Sequence, residues 1–371
     1  MRFSQCFCGF VLLAVLSFAT PLSRSALAQE ASSAVYMRTD TDHTTVVSPR
    51  VRIADTFADT TRVDLVYSAD VWTSASIDIV TSASKAVTEQ RDELNATVQH
   101  EFEDGALQVA YRYSIEPDYR SHGMTLGGSR DFASKSTIVA ATLGVMVDRV
   151  GRSGDPTFDR DLHTFNLGAS GTQIIDPLTW VQLVYEVSYA NGFLSSPYRF
   201  VGVGNASKSC RPAGAVCVPE SLPDERFRHA IALGARRALS ERWALGGSYR
   251  FYVDDWALLA HTLSATLSFM PAGEVQLTLE YRGYAQSAAS YYQAQLRSLA
   301  DVGTFVTRDK ELSPFMSHRM LLSATLEKHL GGASKVRLGL LLGPTLYVFS
   351  DFFAYDHLLA GEATVALGAD L

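Results

Sequence analysis

No stretch of this 371-residue sequence is apolar for the roughly 20 consecutive residues that a membrane-spanning helix needs. The apolar run at residues 6–19 is too short. It follows Arg2 and precedes the small residues Ala26 and Ala28, which is the pattern of a cleaved secretory leader. We therefore expect a signal peptide over residues 1–28, an exported chain over residues 29–371, and no helical anchor.

Cysteines and basic residues are also scarce. Only Cys210 and Cys217 follow the leader, and an exported pair this close predicts a disulfide within the polar loop at residues 191–223. A metal site would need further ligands nearby, and the sequence has none there. The formal net charge of −7 becomes two units more negative when Arg2 and Arg24 leave with the leader. Because no basic stripe is visible, we expect no nucleic-acid partner.

Recognisable catalytic and cofactor motifs are missing, including haem-attachment and phosphate-binding motifs. Asp254, Asp255 and His261 could suggest a hydrolase triad with Ser264. In a strand, however, His261 and Ser264 point to opposite faces. The sequence instead favours a strand tip at which Asp255 and Trp256 turn the chain and Trp256 lies in the membrane-interface belt. We expect no enzyme activity, no cofactor and no metal.

What the sequence contains in abundance is apolar–polar alternation with a period of two. Over residues 242–254, Trp243, Leu245 and Tyr249 alternate with small or polar residues, and residues 259–269 and 275–282 repeat the pattern. This is strand periodicity, sustained over about a dozen residues, whereas a tilted membrane strand needs about 9–11. Long strands with one apolar and one polar face are typical of transmembrane β-barrels. A large soluble β-sandwich and a periplasmic binding protein are the rival classes.

The connections between these strands also alternate in length. Longer connections separate the short turns, with one exception at Asp255 and Trp256; the short turns lie near Ala58, Asp104, Ser134, Asp176, Ser240, Ala272 and Gly332. We therefore predict an all-β, transmembrane, antiparallel up-and-down barrel of about 16 strands (about 14 to 16). Its termini and short turns would face the periplasm, and long loops at residues 191–223 and 287–314 would be external. Residues 73–91 are predicted to form a further loop, and the Gly-rich residues 123–132 a strand.

Charged side chains fall on the polar face of the predicted strands. A charge on the lipid side would cost about 2–4 kcal/mol at mid-membrane, so we expect these charges to face the lumen. The set is Glu93, Glu101, Arg112, Glu186, Arg228, Arg250, Glu280, Arg282, Arg319 and Glu327. These charges either line a wet channel or pair with loops that close it. The two long loops could fold inward as constrictions or lie outside in water.

A second set of residues is expected at external loops or at the membrane interface. Tyr284, Tyr291 and Tyr292 form either an external aromatic patch for a sugar or peptide or part of an aromatic girdle. The whole set is Asp254, Asp255, Trp256, His261, Tyr284, Tyr291 and Tyr292.

Several segments resemble a bacterial family known as domain of unknown function 3570. The likeness is most specific from residue 191 to residue 292 and looser at Thr81–Ser84; its segments are residues 191–198, 223–230, 249–256, 261–263 and 281–292. The resemblance implies an outer-membrane β-barrel of undefined role. It also implies a neighbourhood of redox and flavin-transfer proteins, and hence a link to extracellular electron transfer.

These observations give the expected function. The chain is predicted to be a bacterial outer-membrane barrel that acts as a passive, porin-like channel or as a scaffold. The first alternative is a sheath or scaffold for a periplasmic or surface redox partner. The second, ranked below it, is an outer-membrane hydrolase that uses His261. The expected partners are outer-membrane lipid, the barrel-assembly machinery and a periplasmic or surface protein.

Overall fold

The computed structural model describes residues 30–74, 87–204, 210, 216–331 and 334–370, so the expected leader lies outside the described chain. The described residues form eighteen strands and two short 3₁₀ helices, Leu299–Asp301 and Lys310–Leu312. The first nine strands are β1 (Glu30–Asp40), β2 (Thr44–Phe57), β3 (Thr61–Ser74), β4 (Val87–Phe102), β5 (Gly105–Glu116), β6 (Tyr119–Phe132), β7 (Thr137–Val150), β8 (Arg160–Asp176) and β9 (Thr179–Gly192). The others are β10 (Phe200–Val203), β11 (Val216–Pro219), β12 (Glu225–Ala238), β13 (Trp243–Asp254), β14 (Leu259–Ala272), β15 (Val275–Gln286), β16 (Phe315–Gly331), β17 (Ser334–Phe349) and β18 (His357–Asp370).

Sixteen of these strands close into one antiparallel barrel, which confirms the predicted fold. Each strand pairs with its neighbours in chain order, except that β9 pairs directly with β12. Closure comes from β18 pairing with β1, where Glu30 lies opposite Asp370 and Asp40 opposite Ala360. Strands β10 and β11 form a separate two-stranded sheet within the connection from β9 to β12. Nowhere in the described segments is a helix long and apolar enough to span a bilayer.

The outer face of the barrel is apolar, and its large side chains are exposed rather than packed against other parts of the chain. Leu263 on β14 and Leu322 on β16 keep 57% and 55% of their surface exposed. Because successive side chains in a strand alternate between faces, the residues on either side of each of these leucines point into the barrel. A closed wall with an apolar outer band and a polar interior is the architecture that a lipid bilayer stabilises, since every strand edge is paired and hydrocarbon covers the apolar side.

The two ends of the barrel differ. At one end, the turn end, the connections are short: residues 58–60, 103–104, 133–136, 177–178, 239–242 and 273–274. β1 begins and β18 finishes at this end. The other end, the loop end, carries the long connections at residues 193–224 and 287–314. It also has two short connections, at residues 41–43 and 117–118, although the sequence prediction named only one exception, at Asp255 and Trp256.

Two further boundaries differ from the sequence prediction. Residues 73–91 were expected to be a loop, but β3 continues to Ser74 and β4 begins at Val87. The polar residues at these strand ends lack an apolar alternation, yet their backbones remain paired from Asp70 opposite Arg91 to Ser74 opposite Val87. The Gly-rich strand β6 is paired without interruption to β5 from Arg130 to Tyr119.

Candidate functional site: a capped mouth above a polar lumen

The two long connections at the loop end fold onto each other. Isolated β-bridges join Val203 to Leu296 and Ser221 to Val306. The side chains of Val201, Val203, Leu296 and Val306 form a buried apolar cluster between the two connections. We call this unit, made of the described residues within 193–224 and 287–314, the cap. The loops therefore do not lie separately in water, which was one of the two arrangements left open by the sequence.

A buried carboxylate holds the cap together. The side chain of Glu220 accepts a hydrogen bond of 2.5 Å from the Thr307 hydroxyl and one of 2.6 Å from the Ser196 amide. Arg199 lies 3.1 Å from Glu220 and 2.8 Å from Asp309, so one guanidinium joins carboxylates of both connections. A buried charge is tolerated only when it is paired and hydrogen-bonded in this way.

The cap is also tied to the rim of the barrel. Tyr198 donates a hydrogen bond to the carboxylate of Asp118 in the β5–β6 connection, and its hydroxyl accepts from the amide of Ser153 in the β7–β8 connection. On the other side, Lys310 lies 3.7 Å from Asp42, and the Arg308 guanidinium lies 4.2 Å from the centre of the Phe353 ring. Contacts with four separate rim connections fix the cap over the mouth.

The connection from β13 to β14 forms one wall of the capped mouth. The Asp254 carboxylate accepts hydrogen bonds from the amides of Trp256 and Leu258 and pairs with Arg226 at 2.5 Å. Trp256 was expected in the lipid-interface belt. It is instead 3% exposed, packs with the cap residues Leu222, Tyr292 and Leu312, and stacks under Arg226 at 4.2 Å. The turn directs the indole toward the cap because the Trp256 and Leu258 amides both donate hydrogen bonds to Asp254.

The other residues of the predicted interface set separate into three environments. Asp255 accepts a hydrogen bond from the Phe227 amide at the rim. Tyr291 packs edge-on against Trp256, and the Tyr292 hydroxyl donates to the Asp351 carbonyl, so both belong to the cap. Tyr284 faces the lumen next to Arg282 and is not part of an external patch.

His261 lies on the outer face, hydrogen-bonded to the Tyr249 hydroxyl at 2.6 Å. Ser264 is three residues away in the same strand and points to the lumen, so the two side chains do not form a nucleophile–base pair. The same phenol–imidazole bond recurs on the outer face in the pairs Tyr111–His122, Tyr185–His229 and Tyr281–His318, each at 2.8 Å. Amphipathic side chains of this kind suit a membrane interface.

The charges predicted to face the lumen do alternate with the lipid-facing residues, and most of them are paired across strands. Arg112 lies 3.5 Å from Glu93, Arg250 3.1 Å from Glu186, Arg319 3.0 Å from Glu280, and Arg337 2.7 Å from Glu327. Glu101 accepts a hydrogen bond of 3.3 Å from Gln99. In contrast, Arg228 and Arg282 make no ion pair with any residue in the described chain.

These lumen side chains remain solvent-accessible. In the pair on β9 and β13, the Glu186 side chain keeps 57% and the Arg250 side chain 42% of its surface exposed. Arg112, on β5, keeps 40%. The lumen therefore contains open space at the level of these residues.

Directly beneath the cap is a cavity of about 650 Å³. Its upper wall comes from the cap, with Leu194, Arg199, Leu222 and Leu312. Its side wall comes from lumen-facing residues of β12 to β17, namely Arg226, Arg228, Arg250, Tyr252, Arg282, Tyr284, Phe315 and Tyr347. The described residues contain no group of three or more His, Cys, Asp or Glu side chains placed to hold a metal ion.

The cysteine pair lies in the cap. Cys210 and Cys217 are disulfide-bonded in the structure, with their Cα atoms 5.9 Å apart. Residues 205–209 and 211–215 around the bond lie outside the described chain.

The sequence predicted neither the Glu220 network nor the cap. One signal was present: Val201 and Val203, and then Val216 and Val218, alternate with other residues as short strands do, and they form β10 and β11. The contact of this segment with the second loop was not predictable, because it joins residues about 90 positions apart without a shared pattern.

A closed wall, an apolar outer band and an accessible polar lumen define a transmembrane β-barrel of the outer-membrane type. The chain belongs to the family described as "Protein of unknown function (DUF3570)", whose model matches residues 81–165 and 152–337. No curated protein sequence matches the chain.

Several solved structures have a similar barrel. A "Bacterial polysaccharide outer membrane secretin" has 10% sequence identity and a TM-score of 0.49, with 92% of this chain and 99% of that chain covered. The siderophore receptor PirA from Acinetobacter baumannii has 8% identity and a TM-score of 0.45; the match covers 87% of this chain and 54% of the receptor, so this chain spans about half the receptor's length. The toluene transporter TodX from Pseudomonas putida has 7% identity and a TM-score of 0.39, with 92% and 88% covered. At these identities, the similarity concerns the barrel alone.

Proposed function

We propose that this protein is a channel of the bacterial outer membrane that lets small hydrophilic solutes diffuse through its lumen and past the cap. The observation that carries the proposal is the open lumen. Glu186 and Arg250 are paired, yet both side chains stay about half exposed on the inner face of the wall. A barrel filled by its own side chains or by a plug would bury such groups, whereas a barrel of 16 strands leaves room for water.

The cap supports a selective channel. It is fixed to the rim by several contacts and encloses a cavity of about 650 Å³, a volume that suits a small molecule. Solutes entering at the loop end would have to pass this cavity. Because long loops of outer-membrane barrels face the outside, this end would be the external mouth.

The proposal is tested by recording currents across planar lipid bilayers that contain the purified, folded chain. We expect discrete, ohmic steps in potassium chloride, because the lumen is wet and charged. Heat-unfolded protein from the same preparation is the control for detergent artefacts. A silent bilayer from protein that is demonstrably folded and inserted would contradict the channel.

The alternative implied by the family resemblance is a scaffold for a redox partner. It predicts no current steps, together with a haem or flavin protein that remains bound through purification. An absorbance spectrum of the isolated complex therefore separates the two roles.

A further inference from the structure

Four arginines cluster on the lumen wall below the cap, and two of them have no acidic partner. Arg226 pairs with Asp254, and Arg250 pairs with Glu186. Arg228 and Arg282 make no ion pair within the described chain. The Nε atom of Arg228 is buried without a hydrogen-bond partner. A buried donor that is left unsatisfied costs about 1–3 kcal/mol, so the Arg228 side chain is held in this position at a cost in stability.

The strand register brings these guanidinium groups to one cavity. Arg250 on β13 and Arg282 on β15 are separated only by β14, where the intervening lumen-facing residues are the small Thr262 and Ser264. Two strand spacings amount to about 10 Å, which two arginine side chains can bridge. Arg228, Arg250 and Arg282 all line the 650 Å³ cavity, and Arg228 and Arg250 share a second cavity of about 350 Å³ beside it.

The carboxylates that line the main cavity lie in the cap, which forms its upper wall. Glu220 and Asp309 are both engaged by Arg199, and Glu311 lies beside them. The unpaired Arg228 and Arg282 therefore leave the strand wall of the cavity with an excess of positive charge.

Apolar and aromatic side chains stand among the polar residues of the cavity lining. Leu222, Leu258 and Leu312 close one side, and Tyr252 and Tyr284 stand next to the arginines. Arginine forks match carboxylate and phosphate oxygens, while aromatic and leucine side chains pack against a flat apolar body. Apolar and aromatic side chains beside convergent polar groups form a site that suits a small molecule with one charged group.

We propose that the cavity binds a small organic anion, with its oxyanion group on Arg228 and Arg282 and its apolar body against Tyr252, Tyr284 and the leucines of the cap. The inference rests on the proposed function, because such a site would give the channel its preferred class of solute. Binding neutralises the unpaired charge of both side chains.

The test is calorimetry on the full chain in detergent micelles, with benzoate as the probe. Benzylamine has the same ring with a positive charge, and inorganic phosphate is an oxyanion without an apolar body. We expect saturable benzoate binding, weaker phosphate binding and no benzylamine binding. Equal binding of benzoate and benzylamine, or no saturable benzoate binding, would overturn the site; phosphate that binds as tightly as benzoate would overturn the apolar half of the proposal.

Variants locate the site. Arg228→Gln and Arg282→Gln should each weaken benzoate binding about tenfold, the factor expected for one charge-assisted hydrogen bond. The matched control is Arg236→Gln, which changes an arginine on the same face of β12 toward the turn end, where it donates to Ser268. We expect this control to bind within about twofold of the unmodified protein. An equal loss of benzoate affinity in all three variants would contradict the location of the site. If a variant fails to fold, the comparison of the three probes on the unmodified protein still tests whether the site exists.

Bilayer recordings on the same preparation separate this inference from the proposed function. Current steps without benzoate binding would remove the anion site and leave the channel. Benzoate binding that depends on Arg228, in a protein that passes no current, would remove the channel and leave a binding barrel.

Discussion

At the scale of single residues, Asp254 shows how one carboxylate determines the shape of the mouth. One of its oxygens accepts the Trp256 and Leu258 amides, and the other binds Arg226. The side chain of Asp254 is completely buried in this pair, and that of Arg226 is 14% exposed. The turn that carries Trp256 into the cap is thus coupled electrostatically to the first residues of β12.

Replacing Asp254 by Asn keeps the acceptor for the two amides and removes the charge that faces Arg226. We expect Asp254→Asn to lower the free energy of unfolding by about 3 kcal/mol, because it leaves a nearly buried guanidinium unpaired. The measurement is the temperature at which the compact, heat-modifiable form is lost on a gel, together with trypsin cleavage in the cap. Asp255→Asn, which retains an acceptor for the Phe227 amide, is the control and should behave like the unmodified protein. Equal melting of both variants would disprove the role of the ion pair.

At the scale of strands, a period of two was sufficient to predict most of the barrel. The alternation on β12 to β15 predicted both that these segments are strands and which face of each meets lipid. A one-residue slip would place every charge in hydrocarbon. On β16, Leu322 is exposed on the outer face, and the next residue, Ser323, points inward.

This alternation predicts opposite responses to the same charge at neighbouring positions. We expect Leu322→Arg to destabilise the barrel by about 2–4 kcal/mol, since it places a charge near mid-membrane. Ser323→Arg, one residue along the same strand, should cost less than about 1 kcal/mol because the lumen is wet. Reversible urea unfolding in lipid vesicles measures both values. Similar losses for the two variants would indicate that the faces are wrongly assigned.

Strand ends were less predictable than strand faces. β4 begins at Val87, within a stretch whose polar residues suggested a loop. Once a strand leaves the hydrocarbon, neither face needs to be apolar, so the alternating pattern stops although the backbone pairing continues.

The fold and the inward charges could be derived from local periodicity. The cap could not, because Glu220, Arg199 and Asp309 come together only through the tertiary contact between two loops.

At the scale of the whole molecule, the wall and the cap would have different roles in the proposed channel. The sixteen paired strands form a continuous wall, and the cap is attached to its rim by side-chain contacts, backbone hydrogen bonds and packing around Trp256. A segment that is joined to the barrel only at the rim opens at a lower free-energy cost than a sheet whose strands are paired along their whole length. Conductance should therefore depend on the contacts between cap and rim more than on the strands.

The Tyr198–Asp118 contact offers a direct test of this division. We expect Tyr198→Phe to shift the cap about fivefold toward open states, the factor that corresponds to a hydrogen bond of about 1 kcal/mol, and so to increase the mean current through single channels. Tyr67→Phe removes a similar phenol–carboxylate bond, to Asp92 on the outer face, and should leave the current unchanged. Unchanged current in both variants would show that this contact does not control the cap.

The same contact gives a pH dependence. Burial, and then the hydrogen bond to Asp118, raise the pKa of Tyr198 above the value of about 10 that is usual for tyrosine. The folded cap therefore favours the neutral phenol, so the contact is complete below about pH 10 and is lost as the pH rises through the raised pKa. The current of the unmodified channel should approach that of Tyr198→Phe only in this alkaline range.

The pairing of β1 with β18 has a consequence for how the molecule is made. Glu30 and Asp370 are neighbours in space but lie at opposite ends of the described chain. Until β18 has paired with both of its neighbours, β1 and β17 present unpaired backbone groups, which favour association with other chains. We therefore expect assembly to require protection of the open sheet, because only the pairing of β18 with β1 removes its last free edges.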